Sequence, residues 1–102
     1  MLPKVAVFGT LRFPPDRISE VLPHLRKLVE TTYQNDGCIA YDVAEDPFDP
    51  GLIRFSELWP DYDSLSKHLV APHIEPWRNV AKQHGLMERK FTAYEVSGAE
   101  TV

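Results

Sequence analysis

The apolar positions of this chain change period along its length. Residues 5–11, VAVFGTL, form a β-branched and apolar run that RFPPD closes, because its prolines cannot continue a strand ladder. From Asp16 onward the spacing lengthens: Ile18, Val21, Leu22, Leu25, Leu28, Val29, Thr32 and Tyr33 recur at the intervals of an amphipathic helix with one face toward a core. Asp16 and Ser19 are its candidate caps, and Pro23 predicts either a distinct first turn or a kink. QNDG ends the helix. Residues 38–44, CIAYDVA, and 52–59, LIRFSELW, then read as two strands joined by the turn EDPFDPG, an antiparallel hairpin. Asp61 is placed to cap a helix carrying Leu65, His68 and Leu69. Ala71 and Pro72 interrupt that helix, and a further helical piece with Ile74, Trp77, Val80 and Ala81 runs to a stop at Gly85. Residues 91–96, FTAYEV, make the last strand.

The resulting order, β-α-β-β-α-β, predicts an α+β, ferredoxin-like fold: a four-stranded antiparallel sheet with the helices on one face, residues 1–102 forming one domain. On the first two strands neither face is clearly polar. Val5, Val7 and Leu11 oppose Ala6 and Phe8, and Ile39, Tyr41 and Val43 oppose Cys38, Ala40 and Ala44. Helices cover only one face of such a sheet, so the pattern predicts a homodimer in which a second copy covers the other.

Composition narrows the partners. With 102 residues, 25% of them charged, and a formal charge of −4, the chain has no broad basic field, which argues against nucleic acid and anionic membrane as partners. No apolar run approaches the ~18 residues of a membrane span, and the opening residues read as a strand rather than a signal peptide, which predicts a cytoplasmic protein. The lone Cys38 has no cationic neighbours to activate it and reads as a small buried residue.

The candidate chemistry gathers between Ser56 and Trp77. Ile53, Phe55, Glu57 and Trp59 share one face of the return strand, so Glu57 is a carboxylate among rings: it is either paired with a cation such as Arg54 or Arg78, or neutralised with a raised pKa suited to proton transfer. His68 borders the apolar stripe of its helix and is within reach of the space where Glu57 points, the setting of either a packed histidine or a general base with a carboxylate partner. His73 begins the second helical piece, where free N–H groups favour anions, or else packs on Trp77. The i, i+5 spacing of the two histidines is poor for a metal, and His24 and His84 look exposed. Trp59, Trp77, Tyr41, Tyr62 and Phe8 supply ring surface for a core and for a pocket accepting a flat aromatic or quinonoid ligand, with Arg54 a candidate for an anionic substituent. No glycine-rich phosphate loop or dinucleotide fingerprint is present, so any chemistry is expected to run without a cofactor, on side chains and substrate alone.

The segment NDGCIAYDVAEDPFDPGLIRFSELWPDYDSLSKHLVAPHIEPW resembles the antibiotic biosynthesis monooxygenase superfamily through Gly37, Cys38, Tyr41, Glu57, Trp59, His68, Pro72 and His73. The resemblance implies a dimeric α/β barrel. One branch of that superfamily oxygenates quinols with O₂ and no flavin, haem or metal. It implies here His68 or His73 as the base, Glu57 orienting it, and Trp59, Tyr41 and Phe8 framing the ring. A second branch processes a small phosphorylated carbonyl compound. A third degrades haem with an asparagine on the first strand, where this chain has Phe8, Gly9 and Thr10. The expectation is a cofactor-independent quinol monooxygenase. The alternatives are a hydroxy-carbonyl isomerase and a non-catalytic small-molecule-binding dimer.

Overall fold

The computed structural model describes residues 2–102. Strand β1 (Val5–Arg12) is followed by a short 3-10 turn at Pro15–Arg17 and by helix α1 (Ile18–Asn35). Strands β2 (Ala40–Glu45) and β3 (Leu52–Trp59) form the hairpin, helices α2 (Tyr62–Leu69) and α3 (Ile74–Gln83) follow, and β4 (Glu88–Glu95) closes the order. The four strands pair antiparallel in the order β2-β3-β1-β4, a ferredoxin-like sheet. Within the chain this sheet stays open, with β2 and β4 as its edges.

Local signals explain most of the boundaries. Asp61 caps α2 by accepting from the Ser64 amide at 2.7 Å. At the end of α3, Gly85 takes a positive φ of 83°, and the amides of Gly85 and Leu86 donate to the carbonyls of Lys82 and Ala81. These two bonds make a Schellman stop, which a residue without Cβ enters freely. The expected side-chain cap of α1 is absent: Arg17 occupies the cap position, and neither Asp16 nor Ser19 bonds the first turn. The 3-10 turn supplies the helical start instead. Pro23 lies inside an unbroken α1, early enough that its missing N–H and ring disturb only the first turns.

Period-two alternation separates the two faces of the sheet. Val5, Val7, Leu11, Ile53, Phe55 and Trp59 point to the helices and are buried there with Val21, Leu25 and Leu28 of α1. The opposite face carries Thr10, Arg12, Asp42, Arg54 and Ser56 together with Phe8 and Tyr94, which are 54% and 52% exposed and stand 6.0 Å apart between ring centroids. It is thus more polar than the alternation of β1 and β2 alone predicts.

Candidate functional site

The helix-side core is not closed where α2 and α3 pass over β1, β3 and β4. A cavity of about 390 Å³ remains, within the range that holds a small organic ligand, and its walls are mostly apolar. Phe55 and Phe91 form part of the floor, meeting edge to face at 5.1 Å. Gly9 makes this floor possible: the Phe91 ring lies across it, in the space a Cβ would occupy. Trp77 and Ala81 of α3 and Leu65 of α2 face the floor from above.

At one end the wall turns polar. His68 is buried on α2, and its Nδ1 lies 2.6 Å from Oδ2 of Asp36, the residue just past the end of α1. His73 reaches the same carboxylate oxygen through Nε2 at 3.3 Å, and its Nε2 is also 3.1 Å from Oγ1 of the fully buried Thr32. A carboxylate only accepts, so the arrangement is satisfied when His68 donates from Nδ1–H and His73 from Nε2–H. That tautomer leaves the His68 Nε2 lone pair free, and His68 is the member of this cluster that lines the cavity. Its ring is held from behind by Trp59, with centroids 4.9 Å apart, and from the side by Tyr41 at 5.3 Å.

Burial pushes the His68 pKa below its ordinary value of 6.5, although the bond to Asp36 and that group's charge pull the other way. Desolvation prevails, and the ring is a neutral base at neutral pH with a carboxylate waiting to steady its charged form. Glu57 also lines the cavity, but its partner is different: Oε1 accepts from the Trp59 indole Nε1 at 2.8 Å. Burial raises the Glu57 pKa, opposed by the indole bond and by the charge of Arg89. Tyr41 is pushed well above its ordinary value, mainly by burial and then by Glu57, and stays a neutral phenol.

The structure therefore brings together His68, His73, Glu57, Trp59, Tyr41 and Trp77, and corrects several sequence expectations. Glu57 does not orient His68; Asp36 does. Trp59 stands behind the histidine, fully buried, rather than facing a ligand. Phe8 and Arg54 lie on the opposite face of the sheet, because their strand positions have the other parity, and Arg54 pairs with Asp46 at 2.7 Å. Tyr62 is outside the cavity as well, in a shallow groove with Lys4 and Glu95. Cys38 is only half-buried, and His84 is half-buried and bonded to the Val80 carbonyl. Asp36 was hidden in the stretch that ends α1; its one sequence signal is an acid placed just before Gly37, where a helix stop turns the chain back toward the sheet.

Asp36, His68 and His73 are also the group of donors that could hold a metal ion, their ligand atoms lying within 4.8 Å of one another. A cation there would have to displace the proton between His68 Nδ1 and Asp36, which the 2.6 Å separation shows to be well placed for hydrogen bonding.

A ferredoxin-like sheet with a cavity under its helices and, in the wall, a histidine backed by an aspartate defines a small-molecule-binding domain. Residues 4–80 match the family model of the antibiotic biosynthesis monooxygenases, and the chain belongs to that family. A crystal structure described as an antibiotic biosynthesis monooxygenase is 31% identical, with a TM-score of 0.84 over 92% of this chain and 99% of that one. A protein from Deinococcus radiodurans assigned to the same class is also 31% identical, with a TM-score of 0.80 over 96% and 97%. Rv0793 from Mycobacterium tuberculosis, 24% identical, shares the fold with a TM-score of 0.82 over 95% and 98%. In sequence the chain is 23% identical to sll1783 of Synechocystis, over 96% of this chain and 67% of that protein.

Proposed function

We propose that this protein is a cofactor-independent monooxygenase that oxidises a small, electron-rich aromatic substrate of the quinol type with O₂. The observation that carries the reading is His68 in the wall of a mostly apolar cavity, with Asp36 2.6 Å behind its Nδ1. His68 Nε2 takes a phenolic proton, and Asp36 stabilises the imidazolium. The resulting anion gives one electron to O₂. The radical pair combines at carbon to a peroxide anion, which takes the proton back from the His68 imidazolium. The hydroperoxide then loses water, its C–H and O–O bonds breaking, to leave the oxidised carbonyl product and a neutral His68. Tyr41, Trp77, Phe55 and Phe91 flank the ring and keep water from the radical pair. His73 acts at one remove, holding Asp36 from the other side.

The assembly that fits this reading is a homodimer of cytoplasmic, one-domain chains, with the faces bearing Phe8 and Tyr94 packed against each other into a closed barrel. What supports it is the half-exposed ring pair on a face that no helix covers.

The test is oxygen uptake by metal-stripped protein with a panel of naphthoquinols and anthrones, set against autoxidation without enzyme. Uptake well above the control that disappears in His68→Ala supports the oxygenase. A panel with no uptake, from protein that still binds these compounds, removes oxygenation and leaves the isomerase or the ligand-binding dimer.

A further inference from the structure

The wall of the cavity carries a charge balance opposite to that of the whole chain. The protein has a formal charge of −4, yet Arg78, Lys82 and Arg89 all line the cavity and the only carboxylate among its lining residues is Glu57. Among the described residues none of these three cations makes an ion pair, whereas Arg12, Arg17, Arg54, Lys67 and Lys90 each do. Arg78 and Lys82 are one helical turn apart on α3, on the side that also presents Ile74 and Ala81 to the cavity. Arg89 comes from the facing edge strand, with its guanidinium carbon 4.5 Å from the Phe91 ring centroid. One Arg78 nitrogen is anchored to the Leu69 carbonyl at 3.1 Å, which fixes the arm and leaves its other N–H groups to donate.

Resting on the reading of this cavity as the ligand site, we propose that its ligand is an aromatic acid: a flat apolar body ending in an oxyanion, carboxylate or phosphate, held by Arg89 from β4 and by Arg78 and Lys82 from α3. All three cations are exposed members of the lining, so they meet an acid from the solvent side of the cavity, and the Phe91 ring steadies the Arg89 guanidinium for a charge-assisted bond. The clamp also orients the ligand. With the acid held between α3 and β4, the apolar body extends over Phe91 and Phe55, and the reacting hydroxyl comes to His68. A neutral quinol of the same size lacks that anchor.

The experiment is binding, not turnover, so it separates this inference from the oxygenase reading. Titrations of 2-naphthoate, 2-naphthyl phosphate and the neutral 2-naphthamide are followed by calorimetry and by histidine NMR shifts. The expected result is that at least one acid binds about tenfold or more tighter than the amide, a preference that weakens with salt. Arg89→Gln and Lys82→Gln each remove most of that preference without weakening the amide. Lys90→Gln, on the same strand but the other face, leaves it intact. The stronger of the two acids identifies the oxyanion. Equal binding of acids and amide, or a preference that survives in Arg89→Gln and Lys82→Gln, overturns the clamp while leaving the site. No binding by any of the three overturns both.

Discussion

Two hidden carboxylates, Asp36 and Glu57, lie between the helices and this sheet, and they are held in opposite ways. Asp36, at the end of α1, has a side chain only 7% exposed and gathers two histidines and the neighbourhood of a buried threonine hydroxyl. Glu57, in the middle of β3, is equally hidden but receives one indole N–H and makes no ion pair with the cations that line the same cavity. The first environment gives a carboxylate two ring N–H donors and so positions a base. The second penalises that charge, so Glu57 is driven toward its neutral form. Lining the cavity is therefore not enough to make a base: a Glu57 that holds its proton suits a donor rather than an acceptor, and the carboxylate that the proposed reading relies on lies behind the histidine.

The largest effect expected is from removing what Asp36 serves. His68→Ala should lower oxygen uptake by about 10²- to 10⁴-fold, the usual worth of a general base, with the far-ultraviolet circular dichroism unchanged. Uptake within a few-fold of wild type would take the base out of the reading.

Next in size is the direct contrast. Asp36→Asn keeps the volume but can present an N–H to His68 Nδ1, which favours the tautomer with its proton on the nitrogen facing the cavity. A loss of about 10²-fold, carried by kcat rather than KM, is expected. The acid limb of the pH profile, already below 6.5, should move further down, because Asp36 is what opposes the desolvation of His68. Glu57→Gln should cost far less activity. Equal losses from the two variants would erase the distinction between the carboxylates.

Much of this arrangement is written in local patterns. The alternation on β3 puts Glu57 and Trp59 on one face, and the break at Pro72 is what lets His68 and His73 reach a common point despite their unfavourable spacing. Asp36 was not legible, because its position depends on where the end of α1 meets His68 and His73, a long-range contact without period. Phe8 is misplaced for a similar reason, since only the pairing register of β1 with β3 relates its face to that of Glu57; Arg54 was legible, because alternation within β3 already puts it opposite Glu57. Gly9 gives no signal of its own until Phe91 is seen lying across it from β4.

A third variant acts on the link between the carboxylate and its single donor. Trp59→Phe removes the indole N–H from Glu57 and opens space behind His68. The expected loss is about 1 to 3 kcal/mol in denaturant unfolding, the cost of a buried polar group left without its partner. At a pH high enough to ionise Glu57, adding Glu57→Gln to it should recover part of that loss, since the unpartnered group is then neutral. Additive losses would show that the indole serves only as packing.

The smallest effect is also the cleanest probe of Glu57. Its pKa in the folded protein is raised above the ordinary 4.5, so the folded state holds the proton more tightly than the unfolded chain does. Stability from this group is complete below 4.5 and is lost as pH rises through the raised value. Glu57→Gln preserves an acceptor for the indole and cannot ionise. Its melting temperature relative to wild type should therefore climb as pH rises above 4.5 and level off once the raised value is passed. His68 has the opposite sense, its lowered pKa giving stability above 6.5 that is lost as pH falls. Because both proteins keep His68, the difference between their melting curves cancels it. A difference that stays flat over that range would mean that Glu57 ionises as freely in the folded protein as in the unfolded chain, and that the cavity is wetter than its apolar walls imply.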